Sequence, residues 1–281
     1  MRFELSGSIS RAEPHAENLK TGNFIPSDWM DLGYTNFDVI CIGGGGGRGG
    51  GIDTQNTGTL IRNYGGEGGG GGYHRVQGLL SELPSTVPVV VGTLGAAGAD
   101  HVSNPALTTD GGNGGASSFN TNLCMASGGM GGKRAQTAST TAATLADGGA
   151  GGIGNRTAVG GGGLGGHCGD PDDDPSTSTD GEDGPIIDDI GHGGGGGAGG
   201  IATYAGTSYL EATAGGRGSY NPDDLLVAGD GEDPQEDPGT GIDAIKPGRG
   251  GGATASPLTG LPYNYGRAGV AGAVVIYLSS K

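Results

Sequence analysis

The sequence predicts a mostly β and irregular fold: a small β-sheet or sandwich framework supporting a bundle of polyglycine-II helices, the left-handed threefold extended form, with very little α-helix. Three observations carry that expectation. Of the 281 residues, 69 are glycine and 14 proline, a load at which composition alone points to low complexity. Hydrophobic residues make up 33% and aromatics 5%, which leaves an ordinary packed enzyme core hard to build and excludes an all-helical bundle. Short β-branched stretches also run directly into or out of contiguous glycine, tying strand and glycine run into one pattern.

Taken in order, Phe3, Leu5 and Ile9 alternate with polar residues as a half-buried strand does. A loop carrying Trp29 is expected next, and then the strand Asn36 to Ile42, which leads straight into the run Gly43 to Gly51, broken once by Arg48. A second cycle has glycine from Gly65 to Gly72, interrupted by Glu67, a strand from Tyr73 to Val76, and another from Val87 to Gly92. Pro84 and Pro88 confine that last strand to a sheet edge or to a strand's first positions, because proline has no N–H for the ladder. Glycine-rich stretches then recur within 95–98, 111–115, 128–132, 148–154, 160–166, 193–200 and 248–252. The closing stretch Gly269 to Leu278 reads as a strand able to pair with Phe37 to Ile42, which brings both chain ends into one sheet. Residues 1–36 are thus expected as an N-terminal strand and attachment segment, and 37–281 as the glycine-rich domain, with acidic loops around 170–190 and 221–247.

Contiguous glycine sets a physical condition. Ordering its backbone costs on the order of 1–2 kcal/mol per residue with no side-chain burial to offset it. Backbone hydrogen bonds contribute roughly 0.5–1.5 kcal/mol each, so an ordered run requires nearly every amide to be paired. A threefold extended chain makes no internal bonds and points its N–H and C=O groups sideways, where neighbouring chains can use them. Only glycine allows the close approach. Collagen is excluded because these runs are contiguous and do not place glycine at every third position.

The formal charge of −16 argues against nucleic acid and anionic membrane surfaces as partners, and no apolar run long enough for membrane insertion or a signal peptide is present. Three cysteines, Cys41, Cys124 and Cys168, form no CxxC pair and read as small buried hydrophobes. Gly44, Gly46 and Gly49 satisfy GxGxxG after a strand, a match that near-polyglycine makes trivially and that no helix start follows. Residues Ser127 to Arg134 resemble a phosphate loop but fail it at Ser127 and at Arg134. Asp170, Asp172, Asp173 and Asp174 with Asp180, Glu182, Asp183, Asp188 and Asp189, and the group Asp230, Glu232, Asp233, Glu236 and Asp237, match no calcium-loop spacing and read as solvated loops. His167, Cys168 and His192 lack metal-ligand spacing. No GxSxG elbow is present. No cofactor, metal or enzymatic activity is expected.

The succession FDVICIGGGGGRGGG (37–51), GGEGGGGGYHRV (65–76), LPSTVPVVVGTLGAAG (83–98), DGGNGGASSF (110–119), ASGGMGG (126–132) and GRAGVAGAVVIYL (266–278) resembles the glycine-rich minor tail proteins and tail-fibre tip proteins of tailed bacteriophages, particularly those infecting actinobacteria. The resemblance spans Phe37 to Leu278 and is weakest over 168–246. It implies a virion tail component, made in a host cytoplasm and often distal, that contributes to host-surface recognition. The partners it implies are other phage tail proteins and a host-surface glycan or protein, and a homo-oligomer, a trimer among the options, suits a symmetric tail tip. Tyr204, Tyr209, Tyr220, Tyr263 and Tyr265 fall between glycine runs, either as receptor contacts, which a rigid ring with a polar tip suits, or as caps shielding bundle ends. Rival readings are a calcium-dependent extracellular adhesin, an ice-binding glycine-helix protein, whose signature is regular Gly-x-x repeats, and a lytic tail enzyme.

Overall fold

The computed structural model describes residues 15–50, 52–56, 59–63, 68–99, 101–102, 108–134, 186–187, 190–191 and 268–280. The predicted strand around Phe3 to Ile9 and the glycine-rich stretches within 148–154, 160–166, 193–200 and 248–252 lie outside them. Strands dominate. In chain order they are β1 (His15–Leu19), β2 (Gly22–Phe24), β3 (Asn36–Ile42), β4 (Ile52–Asn56), β5 (Thr59–Asn63), β6 (Tyr73–Leu79), β7 (Val87–Val90), β8 (His101–Val102), β9 (Ser117–Phe119), β10 (Cys124–Ala126), β11 (Ile186–Ile187), β12 (Ile190–Gly191) and β13 (Ala273–Ser279). Among the described residues, one five-residue helix, α1 (Pro26–Met30), and one 3₁₀ turn, Leu80–Glu82, complete the set.

Two four-stranded antiparallel sheets form the framework, ordered β1-β13-β3-β6 and β10-β9-β7-β2. The expected pairing of the chain's closing strand is present, with Ala273 opposite Ile42 and Leu278 opposite Phe37. Strand alternation builds the core: Phe37, Val39 and Cys41 of β3 and Val274, Ile276 and Leu278 of β13 meet Phe24, Val87, Val89, Phe119, Cys124 and Ala126 of the other sheet. Ile40, Ile42 and Tyr73 are buried on the opposite face of the first sheet, with Tyr277 packed against them.

Two expectations are refined. Trp29 sits on α1 and not in a loop, because Pro26 occupies a first-turn position with its φ already set for a helix and Asp28 is acidic in the first turn. Strand β7 lies between β9 and β2, so Pro88 is not on an edge strand. It occupies the second position of an inner strand, where pairing with β9 begins only at Val89. The missing N–H therefore interrupts no bond to β9, and the Pro88 carbonyl still accepts from Asn120.

Glycine-rich segments leave the strand ends. Segment 43–50 continues β3, and its N–H groups go to three different neighbours, two of them recurring every third residue. Gly43 and Gly46 donate to Gly72 and Gly69; Gly44, Gly47 and Gly50 donate to Gly115, Gly112 and Thr109; Gly45 donates to Val270. Its carbonyls are used in the same rhythm, Gly44 and Gly47 accepting from Gly129 and Gly132, and Gly45 and Arg48 from Gly95 and Gly98. The neighbours also bond to one another, so that 68–72, 127–134, 108–115, 92–99 and 268–272 follow in that order around 43–50.

Close approach explains the residue choice. A Cβ on Gly43 or Gly46 would lie 1.9 or 2.0 Å from the carbonyl oxygen of Ser127 or Met130, and one on Gly44 or Gly47 would lie 2.0 Å from that of Thr93 or Ala96. The third phase, to which Gly45 and Arg48 belong, faces the side between 268–272 and 68–72. That phase holds the run's one side chain, and Arg48 is 1% exposed.

Candidate functional site at the far end of the glycine segments

The six described glycine-rich segments run from strand ends in one direction. Segments 43–50, 92–99 and 127–134 follow β3, β7 and β10 outward, while 68–72, 108–115 and 268–272 return to β6, β9 and β13. The first and last described residues, His15 and Ser280, sit at the sheet end. At the far end the chain departs and returns three times, through residues 51–67, 100–107 and 135–267, the last nearly half of the chain. Strands within the first two excursions pair with each other: β4 and β5 form an antiparallel hairpin, and β8 adds in parallel through Ile52 opposite His101 and Asp53 opposite Val102.

At the rim, Asp110 joins two segments. Its Oδ1 accepts the Arg134 N–H at 2.9 Å and its Oδ2 accepts the Lys133 ammonium at 2.9 Å, while the Arg134 guanidinium donates to the Thr108 carbonyl at 2.9 Å. Three residues on, Asn113 Oδ1 accepts the Gly131 N–H at 2.8 Å. Both side chains cap amides on the exposed flank of 127–134 with the threefold spacing of the segments, which gives DGGNGG a physical meaning that sequence reasoning missed. The signal was there: two Asx residues three apart inside a glycine run. The hydrogen bond from the Arg134 amide holds the Asp110 carboxyl below the usual carboxylate range against a smaller opposing effect of burial, with Lys133 adding to it.

Ser117 does comparable work at the sheet end. Its buried Oγ accepts the Gly92 N–H at 2.9 Å and donates to the Ile42 carbonyl at 2.5 Å, tying the start of two segments to both sheets.

The sequence-predicted site residues Tyr204, Tyr209, Tyr220, Tyr263 and Tyr265 lie outside the described residues, as do both acidic groups' side chains, His167, Cys168 and His192. The GxGxxG match is described: the Gly44 and Gly46 amides donate to Gly115 and Gly69, and β4, not a helix, follows. In the stretch Ser127 to Arg134, the Gly129, Gly131, Gly132 and Arg134 amides are engaged as well. Phosphate cradles need such amides free. Among the described residues no group of three or more His, Cys, Asp and Glu is placed to hold a metal, and no helix is long and apolar enough to cross a membrane.

Two antiparallel sheets from which glycine-rich segments project into a shared hydrogen-bond network define a class of backbone-bonded domain. The chain belongs to the family described as Glycine-rich domain, whose profile matches residues 20–279. No curated protein matches the chain.

Proposed function

We propose that this chain is a structural component of a bacteriophage virion tail, a minor tail protein at or near the tip, whose glycine segments act as a stiff support for far-end segments that engage a host surface. The observation that carries the reading is polarity. The described chain ends sit at one end, and every excursion, including 135–267 with the acidic groups and all five tyrosines, departs from the other. The reading takes the segments as polyglycine-II helices, which their period-three partner sets support. Eight residues at that helix's rise span about 25 Å. A unit cemented largely by backbone amides also tolerates change in its loops. The tail assignment itself rests on the resemblance of the sequence.

Residues 92–99 add one observation in favour of a second reading. Gly92, Gly95 and Gly98 are buried while Thr93, Leu94, Ala96 and Ala99 are exposed, a local Gly-x-x repeat of the kind an ice-binding face uses. Thr93 is the one threonine on it, and thermal hysteresis at millimolar protein would decide for ice. The tail reading is tested by binding of labelled full-length protein to intact actinobacterial cells, beside a variant in which a short Gly-Ser linker joins Arg134 to Ala268. Saturable binding lost in the variant, with antibody labelling of virion tail tips, is the expected result. Absence of the chain from virions overturns the reading.

A further inference from the structure

We infer that Asn113-Gly114 is a covalent modification site, a deamidation switch that the glycine network holds shut and whose isoaspartate product keeps segment 108–115 from closing again. It is the single Asn-Gly step among the 281 residues, and Asn113 is exposed, so water and hydroxide reach it. Glycine in the second position favours the reaction, because no Cβ hinders its nitrogen as that atom swings onto the asparagine side chain. In the folded protein both reacting groups are tethered to one neighbour. The Gly114 N–H, whose nitrogen is the nucleophile, donates to the Gly129 carbonyl at 2.9 Å, and Asn113 Oδ1, on the carbon to be attacked, accepts the Gly131 N–H at 2.8 Å. A peptide nitrogen becomes nucleophilic only when its proton is lost, since its lone pair is delocalised into the carbonyl, and here that proton sits in a bond. Reaction therefore waits for 108–115 to part from 127–134. The arrangement recurs three residues earlier, where Asp110 accepts the Arg134 amide and Gly111 donates to Gly132, but only the asparagine offers a neutral amide for attack.

Once the segment opens, hydroxide takes the Gly114 amide proton and the freed nitrogen attacks Asn113 Cγ. The bond from Cγ to the side-chain nitrogen breaks, that nitrogen leaves as ammonia with a proton from water, and hydroxide is regenerated beside a closed succinimide. Water then opens the ring at either carbonyl. One opening gives aspartate, and the other gives isoaspartate, in which the main chain runs through Cβ and Cγ. Overall one water enters and one ammonia departs, with no change of oxidation state. Aspartate keeps an acceptor for the Gly131 N–H. Isoaspartate instead adds one atom, about 1.5 Å, to the main chain. That chain is pinned before the step by Gly112 N–H to Ala96 O and after it by Gly115 N–H to Thr93 O, so the two bonds cannot re-form in the same register. The chemistry stands whether or not the tail reading holds.

The test ages full-length protein at mildly alkaline pH in native buffer, with the same protein in urea as the open reference, and follows Asn113 by peptide mass. The expected result is a gain of about 1 Da that accrues at least about tenfold more slowly in buffer than in urea. Gly46→Ala, whose new Cβ crowds the carbonyl of Met130 between the two tethering residues, should convert at least about fivefold faster than the parent in buffer. Isoaspartate-bearing chains, separated by chromatography, should lose hydrogen-exchange protection at 108–115, while Asn113→Asp keeps it. Conversion in buffer within twofold of the urea rate, or a Gly46→Ala rate no faster than the parent's, overturns the gate. Isoaspartate chains that exchange as slowly as the parent overturn the lock, and so does an Asn113→Asp protein that exchanges as fast as they do, because the added charge and not the added atom would then be the cause.

Discussion

Placing one methyl group inside the glycine network tests whether close backbone approach holds this protein together. In Gly46→Ala the new Cβ would lie 2.0 Å from the Met130 carbonyl oxygen and 2.5 Å from its carbon. Ordinary contact requires the two backbones to part by roughly 1.4 Å. Segment 127–134 is held there by Gly129 N–H to Gly44 O and Gly132 N–H to Gly47 O, both at 2.9 Å, and Met130 O also accepts from Gly69 at 2.9 Å. A shift of that size takes at least two of these beyond bonding distance in a buried setting. Each lost bond, with a desolvated group left behind, costs about 1–3 kcal/mol. The stiffer unfolded chain returns only about 0.4–1 kcal/mol. A net loss of about 2–5 kcal/mol is expected, a drop in melting temperature of roughly 5–15 °C. Leu94→Ala, at a 47% exposed position of a neighbouring segment, should stay within about 0.5 kcal/mol of the parent. Thermal unfolding by circular dichroism, with hydrogen exchange at residues 43–50, reads both. If Gly46→Ala melts within 2 °C of the parent and its amides stay protected, the backbone-contact account is wrong.

Ser117→Ala should cost about 2–3 kcal/mol in urea unfolding, because it leaves the Gly92 N–H and one interaction of the Ile42 carbonyl unmet in the core; a loss below 0.5 kcal/mol would show that the hydroxyl is not the link. Asp110 has a folded pKa below its unfolded value. Its contribution is thus complete above the ordinary carboxylate range near pH 4 and lost as pH falls through the folded pKa. Titration of its carboxyl carbon by NMR should give a midpoint below 3.8, and Asp110→Asn should flatten the acid limb of the stability curve. An unshifted midpoint would remove the Arg134 amide as the cause.

Legibility in the sequence followed local signal. Asn36 to Ile42 was readable to the residue because a β-branched run abuts glycine, and the partner strand near the other end carries the same signal in Val274, Val275 and Ile276. His15 to Leu19 was not, since HAENL has little strand preference and becomes β1 by docking against Leu278 to Val274 of β13. Five residues are too few to show helical period, which hid α1. For the candidate site, the network was legible as a physical requirement, that nearly every amide be paired, but its rim was not. Asp110, Asn113 and Ser117 look like ordinary polar residues until their neighbours are known.

The irregular spacing of glycine, which defies any single repeat, becomes intelligible once neighbours are assigned. A threefold chain presents three Cα phases, and a phase must be glycine only where another backbone lies against it. Segment 43–50 has described neighbours against two phases and is buried throughout, hence near-continuous glycine with one side chain, Arg48, on the remaining phase. Among the described residues, segment 92–99 is flanked on one side only, and there glycine falls back to every third residue, Gly92, Gly95 and Gly98, with Thr93, Leu94, Ala96 and Ala97 between. Segment 108–115 shows the complement: Asp110 and Asn113, with Ala116 just past its end, are exposed at a spacing of three, as is Thr109, beside glycines that touch 43–50 or 92–99. Run continuity therefore measures depth. The number of glycine phases counts the faces of a segment against which another backbone lies, as the apolar stripe of an amphipathic helix measures how much of it faces a core.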